Sequence, residues 1–220
     1  MRRMIVVIQC AASKQSDAGH LVAASGKRVD FVAHPQIAPP NPDRMYARPD
    51  DLREDGTSWR QLLLKYNQNP DDNPLRLYPA YGLYENKAYG RLVDRFGLRN
   101  VYILSAGWGL IPADFLTPYY DITFSPSADA YKRRRKTDQY NDFRMLPDDT
   151  ENDIVFFGGK DYLSLFCSLT DTIRGRKIVF FNSASVPRFN GYTFRRFETT
   201  TRTNWHYECA NAFIDGTIRI

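Results

Sequence analysis

The stretch VYILSAGWGLIPADFLTPYYDITFS, residues 101–125, decides the fold. Its first four residues form a continuous apolar run, which is typical of a buried strand. Small residues then surround one large side chain, Trp108, and the motif Pro118-Tyr119-Tyr120-Asp121 follows. In α/β proteins, ligand sites lie where a strand opens into a glycine-rich loop. The stretch therefore predicts an α/β protein with a ligand site after this strand.

Strands and helices are predicted to alternate along the rest of the chain. Apolar runs predict further strands over residues 3–9, 153–157 and 177–181, and an edge strand over 192–197. Helical patterns predict helices over residues 58–67, 84–96, 128–145, 161–173 and 203–213, with Gly97 and Gly175 as helix stops. This alternation favours a three-layer α/β sandwich with a mainly parallel central sheet.

The length of 220 residues fits a single domain. We find no internal repeat and no linker. Residues 15–75 are interpreted as an irregular insertion, because five prolines crowd residues 35–49 and only one short strand, over 29–33, is expected within residues 15–56. A long irregular segment in a compact domain is usually a functional lid or an insertion.

Cysteine spacing and hydropathy narrow the class of protein. The three cysteines are far apart and form no CxxC pair, which favours reduced thiols in a cytoplasmic protein over a disulfide framework or a zinc site. The N-terminal apolar run spans about eight residues and is interpreted as a strand rather than a signal peptide. No stretch approaches the roughly 18 apolar residues that span a bilayer. We expect no membrane association, no metal and no cofactor.

Charge and aromatic content are compatible with a nucleic-acid partner. The formal net charge is +5, and the chain has 14 Tyr and 14 Phe. Basic charge with exposed aromatic rings suits a single-stranded or flipped-base site, although a tyrosine-rich core is the alternative. One run of cations suits phosphate contacts, unless it is only a solvated helix face; it comprises Lys132, Arg133, Arg134, Arg135 and Lys136.

Three turns of small residues follow predicted strands. They are residues 10–14, residues 105–110 and the pair Gly158-Gly159. Backbone N–H groups and Lys14 can hold an anion at the first turn, although a solvated surface loop has the same pattern. Because parallel neighbours bring such turns to one sheet edge, we expect all three to converge on one pocket.

Two residues are candidates for chemistry. Asp121 offers a carboxylate that can steady a developing cation or position a water, although a lone Asp in a turn is usually a turn former. His206 shares a predicted helix face with Arg202 and Ala210, and a structural role is its alternative. The chain lacks the motifs of P-loop, dinucleotide-binding, zincin and α/β-hydrolase sites.

Several motifs together resemble a known family. They are C-x-x-S-K at Cys10, Ser13 and Lys14, the pair Leu83-Tyr84, and LSA-x-x-GL at 104–110 followed by PYYD at 118–121. This pattern is similar to bacterial and phage proteins related to the peroxide-stress protein YaaA, which have Pro-Tyr-Asp where this chain has one extra Tyr. The resemblance implies a core like that of uracil-DNA glycosylases, as in enzymes that modify DNA bases.

The function expected from this reading is a DNA glycosylase that hydrolyses the N-glycosidic bond of a modified, flipped-out base, with antiphage defence as a natural setting. The alternatives are a non-catalytic DNA-binding stress protein and an enzyme of free nucleosides or nucleotides. Asp121 and His206 are the catalytic candidates. The substrate-binding candidates are Gln9, Cys10, Ser13, Lys14, Tyr84, Ser105, Gly107, Trp108, Tyr119, Tyr120, Gly158 and Gly159.

Overall fold

The computed structural model describes residues 4–201 and 203–220. The strands in these ranges are β1 Met4–Gln9, β2 Arg28–Phe31, β3 Arg44–Ala47, β4 Tyr78–Pro79, β5 Val101–Ser105, β6 Gly109–Pro112, β7 Leu116–Thr117, β8 Phe143–Arg144, β9 Asp153–Phe157, β10 Lys177–Phe181 and β11 Tyr192–Arg196. The α-helices are α1 Trp59–Tyr66, α2 Ala88–Phe96, α3 Lys160–Thr170 and α4 Trp205–Ile214. No helix in the described ranges is long and apolar enough to cross a membrane.

The central sheet has seven strands in the order β11-β10-β9-β1-β5-β6-β8. The first five of these run parallel, and β6 is antiparallel to β5. Strand β1 lies between two parallel neighbours and is buried along Ile5–Ile8, which explains its unbroken apolar sequence. The predicted α/β class with a mainly parallel sheet is confirmed, and β11 is the predicted edge strand.

Helices cover both faces of the sheet. Phe156 and Phe157 are consecutive residues of β9, so their side chains point to opposite faces. The ring of Phe156 stacks on Phe166 of α3 at 4.3 Å, whereas the ring of Phe157 lies 5.4 Å from Phe213 of α4. Phe213 in turn stacks on Phe96 of α2 at 5.6 Å. Aromatic packing therefore fixes α3 on one face, and α2 and α4 on the other.

Two helix ends follow from local sequence. Ser58 accepts a hydrogen bond from the Gln61 amide, and the Gln61 side chain accepts one from the Ser58 amide, which forms a capping box that begins α1. Gly97 has a φ of 85° and ends α2, as predicted. Helix α2 begins at Ala88 rather than at residue 84, and α3 ends at Thr170, before the predicted stop at Gly175.

The predicted helix over residues 128–145 is wrong. This segment consists of turns and isolated pairing, with Arg133 bridged to Thr123, and it ends in β8. The reason is tertiary: the buried Arg134 guanidinium binds the Asp142 carboxylate at 2.6 and 2.9 Å. Its Nη1 also donates to the carbonyl oxygen of Ala106 at 2.8 Å. The ion pair joins residues eight positions apart, which lie about two turns apart in a helix, and the bond to Ala106 holds the segment against the turn after β5.

The irregular region 15–75 contains more structure than expected. Strands β2 and β3 form a separate parallel pair, so the short strand predicted near residue 29 has a partner. Phe31 bridges Tyr120 and accepts a hydrogen bond from the Asp121 amide at 2.7 Å. The region therefore packs against the stretch that follows β5.

Candidate functional site

A cavity of about 640 Å³ opens at the carboxyl ends of β1 and β9. The first turns of α3 and α4 form part of its wall. Its lining residues are Gln9, Cys10, Ala11, Ala12, Ser13, Glu85, Asn86, Thr123, Ser125, Gly159, Asp161, Tyr162, Thr203, Asn204, Trp205, His206 and Tyr207. This position is where open α/β sheets bind ligands, so the cavity is the candidate site.

The three predicted turns lie at the same edge of the sheet, but only two of them line the cavity. Residues 10–13 and Gly159 contribute to the wall. The turn after β5 lies behind Cys10, because the Cys10 amide donates to the carbonyl oxygen of Leu104 at 2.9 Å and the Ala106 amide donates to Cys10 Sγ at 3.4 Å. The prediction that all three turns converge on one pocket is therefore only partly correct.

Tyr84, Tyr120 and Ser105 form a buried hydroxyl network instead of contacting the cavity. The Tyr84 and Tyr120 hydroxyls are 2.8 Å apart, and Ser105 Oγ donates to Tyr120 Oη at 2.9 Å. Burial raises the pKa of both tyrosines well above its usual value, so both phenols are neutral. All three residues are buried and none lines the cavity, so the structure does not place them against a ligand there.

The Lys14 side chain forms hydrogen bonds within its own loop. Its Nζ donates to the carbonyl oxygens of Ala11 and Ala12 at 3.1 and 3.3 Å and lies 4.4 Å from the centre of the Tyr120 ring. Burial lowers the pKa of this ammonium group. Lys14 is absent from the lining of the cavity, as is Tyr119, whose ring lies 5.3 Å from His20. The structure therefore does not place either residue against a ligand in the cavity.

Trp108 is a core residue, which contradicts the prediction that it faces a ligand. It is 0% exposed, and its ring lies 5.0 Å from Phe31 and 6.4 Å from Phe143. Gly107 and Gly158 are also packing positions; a side chain at Gly158 would overlap the Phe156 ring. The glycines that flank Trp108 allow a tight turn that directs the indole inward.

Asp121 lies outside the cavity lining and is already paired. Its carboxylate lies 3.0 Å from Lys132 Nζ, which also pairs with Asp129 at 3.1 Å. These carboxylates raise the pKa of Lys132 above its usual value. Asp121 is connected to the site only through the chain, since Thr123 lines the cavity two residues later. This position argues against Asp121 as a group that acts on a ligand there.

The cationic run divides into two groups. Lys132 and Arg134 are committed to internal ion pairs, so neither is free for phosphate. The other three residues, the basic trio, are half-buried to exposed, and their side chains form no ion pair with a described residue; they are Arg133, Arg135 and Lys136. The Arg133 side chain donates to the carbonyl oxygen of Pro126 at 3.1 Å. Thr123 pairs with this run, because its amide donates to the Lys132 carbonyl oxygen at 3.0 Å. The backbone of Arg133 therefore lies beside Thr123, which lines the cavity.

His206, a catalytic candidate from the sequence, lines the cavity from the first turn of α4. It is 4% exposed, and its Nε2 is buried with no hydrogen-bond partner in the described part of the chain. Burial lowers the pKa of this imidazole to about 4, so it is neutral at pH 7. Arg202, predicted to share its helix face, lies outside the described residues.

Sequence reasoning missed two carboxylates in the site, Asp161 and Glu85. Asp161 is half-buried in the first turn of α3, immediately after Gly158-Gly159. Its place after a strand-end turn was the available signal, but acidic residues are common in first helical turns for electrostatic reasons alone. Within the described ranges, no group of three or more His, Cys, Asp and Glu side chains is placed to hold a metal ion.

Comparisons of the chain with protein-family models, curated proteins and solved structures show no match. The resemblance to the YaaA-related family and to the uracil-DNA-glycosylase-like core therefore stays an expectation from the motifs. The function must be argued from the cavity itself.

Proposed function

We propose that this protein hydrolyses the N-glycosidic bond of a modified base that is flipped out of DNA. The observation that carries the proposal is a cavity of about 640 Å³ whose wall holds a half-buried carboxylate, Asp161, and the oriented side chain of Gln9. Pockets of roughly 300–1,000 Å³ hold small organic ligands, and a base with its sugar falls within this class. A base must leave the duplex stack before such a pocket can enclose it.

The lining matches the charge that develops in this reaction. As the bond between sugar and base breaks, positive charge grows on the sugar and negative charge on the leaving base. Water then adds its hydroxide to the sugar carbon, and the base takes up the remaining proton. Asp161 supplies negative charge for the sugar, by analogy with glycosidases. The Gln9 amide and the N-terminal turns of α3 and α4 supply donors and positive potential for the base.

The basic trio supplies a place for the DNA backbone. Arg133 bridges Thr123, which lines the cavity, so phosphates that flank a flipped nucleotide would meet the positive charge of this run. Such contacts give affinity without sequence preference and leave base selection to the cavity.

A second candidate function is hydrolysis of free nucleosides. The observation that favours it is that no Lys or Arg side chain in the described ranges lines the cavity.

The experiment that separates these functions incubates the protein with DNAs that carry diverse modified bases, with free nucleosides in parallel. Alkali-dependent strand breaks with release of the base support the DNA glycosylase. Release from nucleosides alone supports the second function. Tight DNA binding without either product indicates a non-catalytic DNA-binding protein.

The identity of the catalytic carboxylate is tested by a matched pair of variants. Asp161→Asn and Asp121→Asn each remove one negative charge and keep the side-chain shape. We expect Asp161→Asn to reduce excision on the order of 100-fold while DNA binding is retained, because the charge acts mainly in the transition state. Asp121→Asn should leave excision nearly unchanged. Loss of excision in Asp121→Asn alone would restore Asp121 as the catalytic residue and refute the assignment to Asp161.

A further inference from the structure

The orientation of the Gln9 carboxamide is fixed by its neighbour. The Gly159 amide lies 2.6 Å from the Gln9 side-chain oxygen, Oε1. A backbone N–H is only a donor, so the atom that it contacts must be the acceptor oxygen and not the amide nitrogen. The nitrogen, Nε2, makes no hydrogen bond with a described residue and is not among the buried unpartnered atoms. Because Gln9 lines the cavity, its NH₂ group is a donor held ready for a ligand.

A second carboxamide at the rim is oriented in the same way. The Ala88 amide donates to Asn86 Oδ1 at 2.9 Å, so the NH₂ group of Asn86 is also left without a partner among the described residues. Asn86 is exposed and lines the same cavity. In each carboxamide, one backbone N–H group occupies the oxygen. The NH₂ group of each therefore remains available to a ligand in the cavity.

We infer that Gln9 makes the cavity selective for bases that carry a keto oxygen where other bases carry an amino group. This rests on the proposed role of the cavity as a base pocket. A keto oxygen accepts from the oriented NH₂, whereas an amino group meets it donor to donor and leaves both unpaired. A buried donor without an acceptor costs more binding free energy than the simple loss of a hydrogen bond. A pocket with an oriented donor therefore rejects bases with an amino group effectively.

Binding of free bases to the full chain tests the inference independently of catalysis. Two matched pairs serve as probes, uracil against cytosine and hypoxanthine against adenine, measured by isothermal titration calorimetry. We expect the wild-type protein to bind the keto member of each pair on the order of tenfold more tightly. Gln9→Glu keeps an oxygen for the Gly159 amide at the start of α3 but has no donor. It should reverse the preference, because a carboxylate accepts from an amino group.

The control variant is Gln68→Glu, which makes the same charge change at an exposed position after α1. It should retain the wild-type preference. Equal binding of both members by the wild type, an equal loss of all four bases in Gln9→Glu, or no binding by a folded wild-type protein at millimolar base would each overturn the inference. Base preference without any excision would refute the glycosylase alone, and excision without base preference would refute only the role of Gln9.

Discussion

Acid destabilisation of the fold is predicted to depend on His206. Its imidazole has a pKa of about 4 in the folded protein, lowered by burial from the ordinary 6.5. As pH falls below 6.5, the unfolded chain therefore binds a proton that the folded chain does not bind. Stability is lost between pH 6.5 and 4 and then changes no further through this group. The complete loss is about 3 kcal/mol, of which about 2 kcal/mol has occurred at pH 5.

The perturbation is His206→Gln, which removes the titrating group. Urea unfolding at pH 7 and pH 5 gives the free energy of unfolding of each protein. The wild type should lose about 2 kcal/mol more than the variant between the two pH values, whatever constant offset the substitution adds. Other titrating groups cancel in this comparison. Identical pH dependence in both proteins would show that His206 binds a proton equally well in the folded and unfolded states, and it would refute the reasoning.

Three further predictions concern packing and charge. Gly109→Ala should destabilise the protein by about 3 kcal/mol in urea unfolding, because its φ is +92° and a Cβ would lie 2.5 Å from a backbone oxygen of Phe143. Gly90→Ala, on an open face of α2, should instead stabilise it by about 0.5–1 kcal/mol; a similar loss in both would refute the packing argument. Arg134→Met should cost about 3–5 kcal/mol by leaving the Asp142 carboxylate buried and unpaired, and replacement of Asp142 by Leu as well should recover much of this loss. Replacement of the basic trio by Gln should weaken DNA binding and reduce its logarithmic salt slope by about two to three; an unchanged slope would exclude phosphate contacts by these cations.

The sheet was predictable because its strands are buried on both faces. The runs of β1, β9 and β10 contain four or more consecutive apolar residues, a pattern that short surface segments rarely show. Residues 128–145 were not predictable in the same way. Their charges satisfy a helical surface pattern equally well, and the deciding contact, from Arg134 to Ala106 and Asp142, joins residues that local rules do not relate.

The site was predictable in its position but not in its composition. Strand ends pointed to Gln9, Cys10, Ser13 and Gly159, and all four line the cavity. The carboxylates were missed because an acid in a first helical turn has an ordinary electrostatic explanation. The orientation of Gln9 was also hidden, since its partner, Gly159, lies 150 positions away.

The strongest sequence motif acts beneath the cavity rather than inside it. Arg60 of α1 is buried, pairs with Asp50, and donates to the carbonyl oxygens of Gly107 and Trp108 at 3.0 and 2.9 Å. The region 15–75 thereby holds the turn after β5 against the core. Ser105 begins that turn and joins the hydroxyl network behind Cys10, which lines the cavity. Small residues around one tryptophan indicate close backbone approach, and here the approaching group is an arginine from the same chain. A glycine-rich turn around one tryptophan can therefore indicate a backbone that supports a site from behind, and not only one that contacts a ligand.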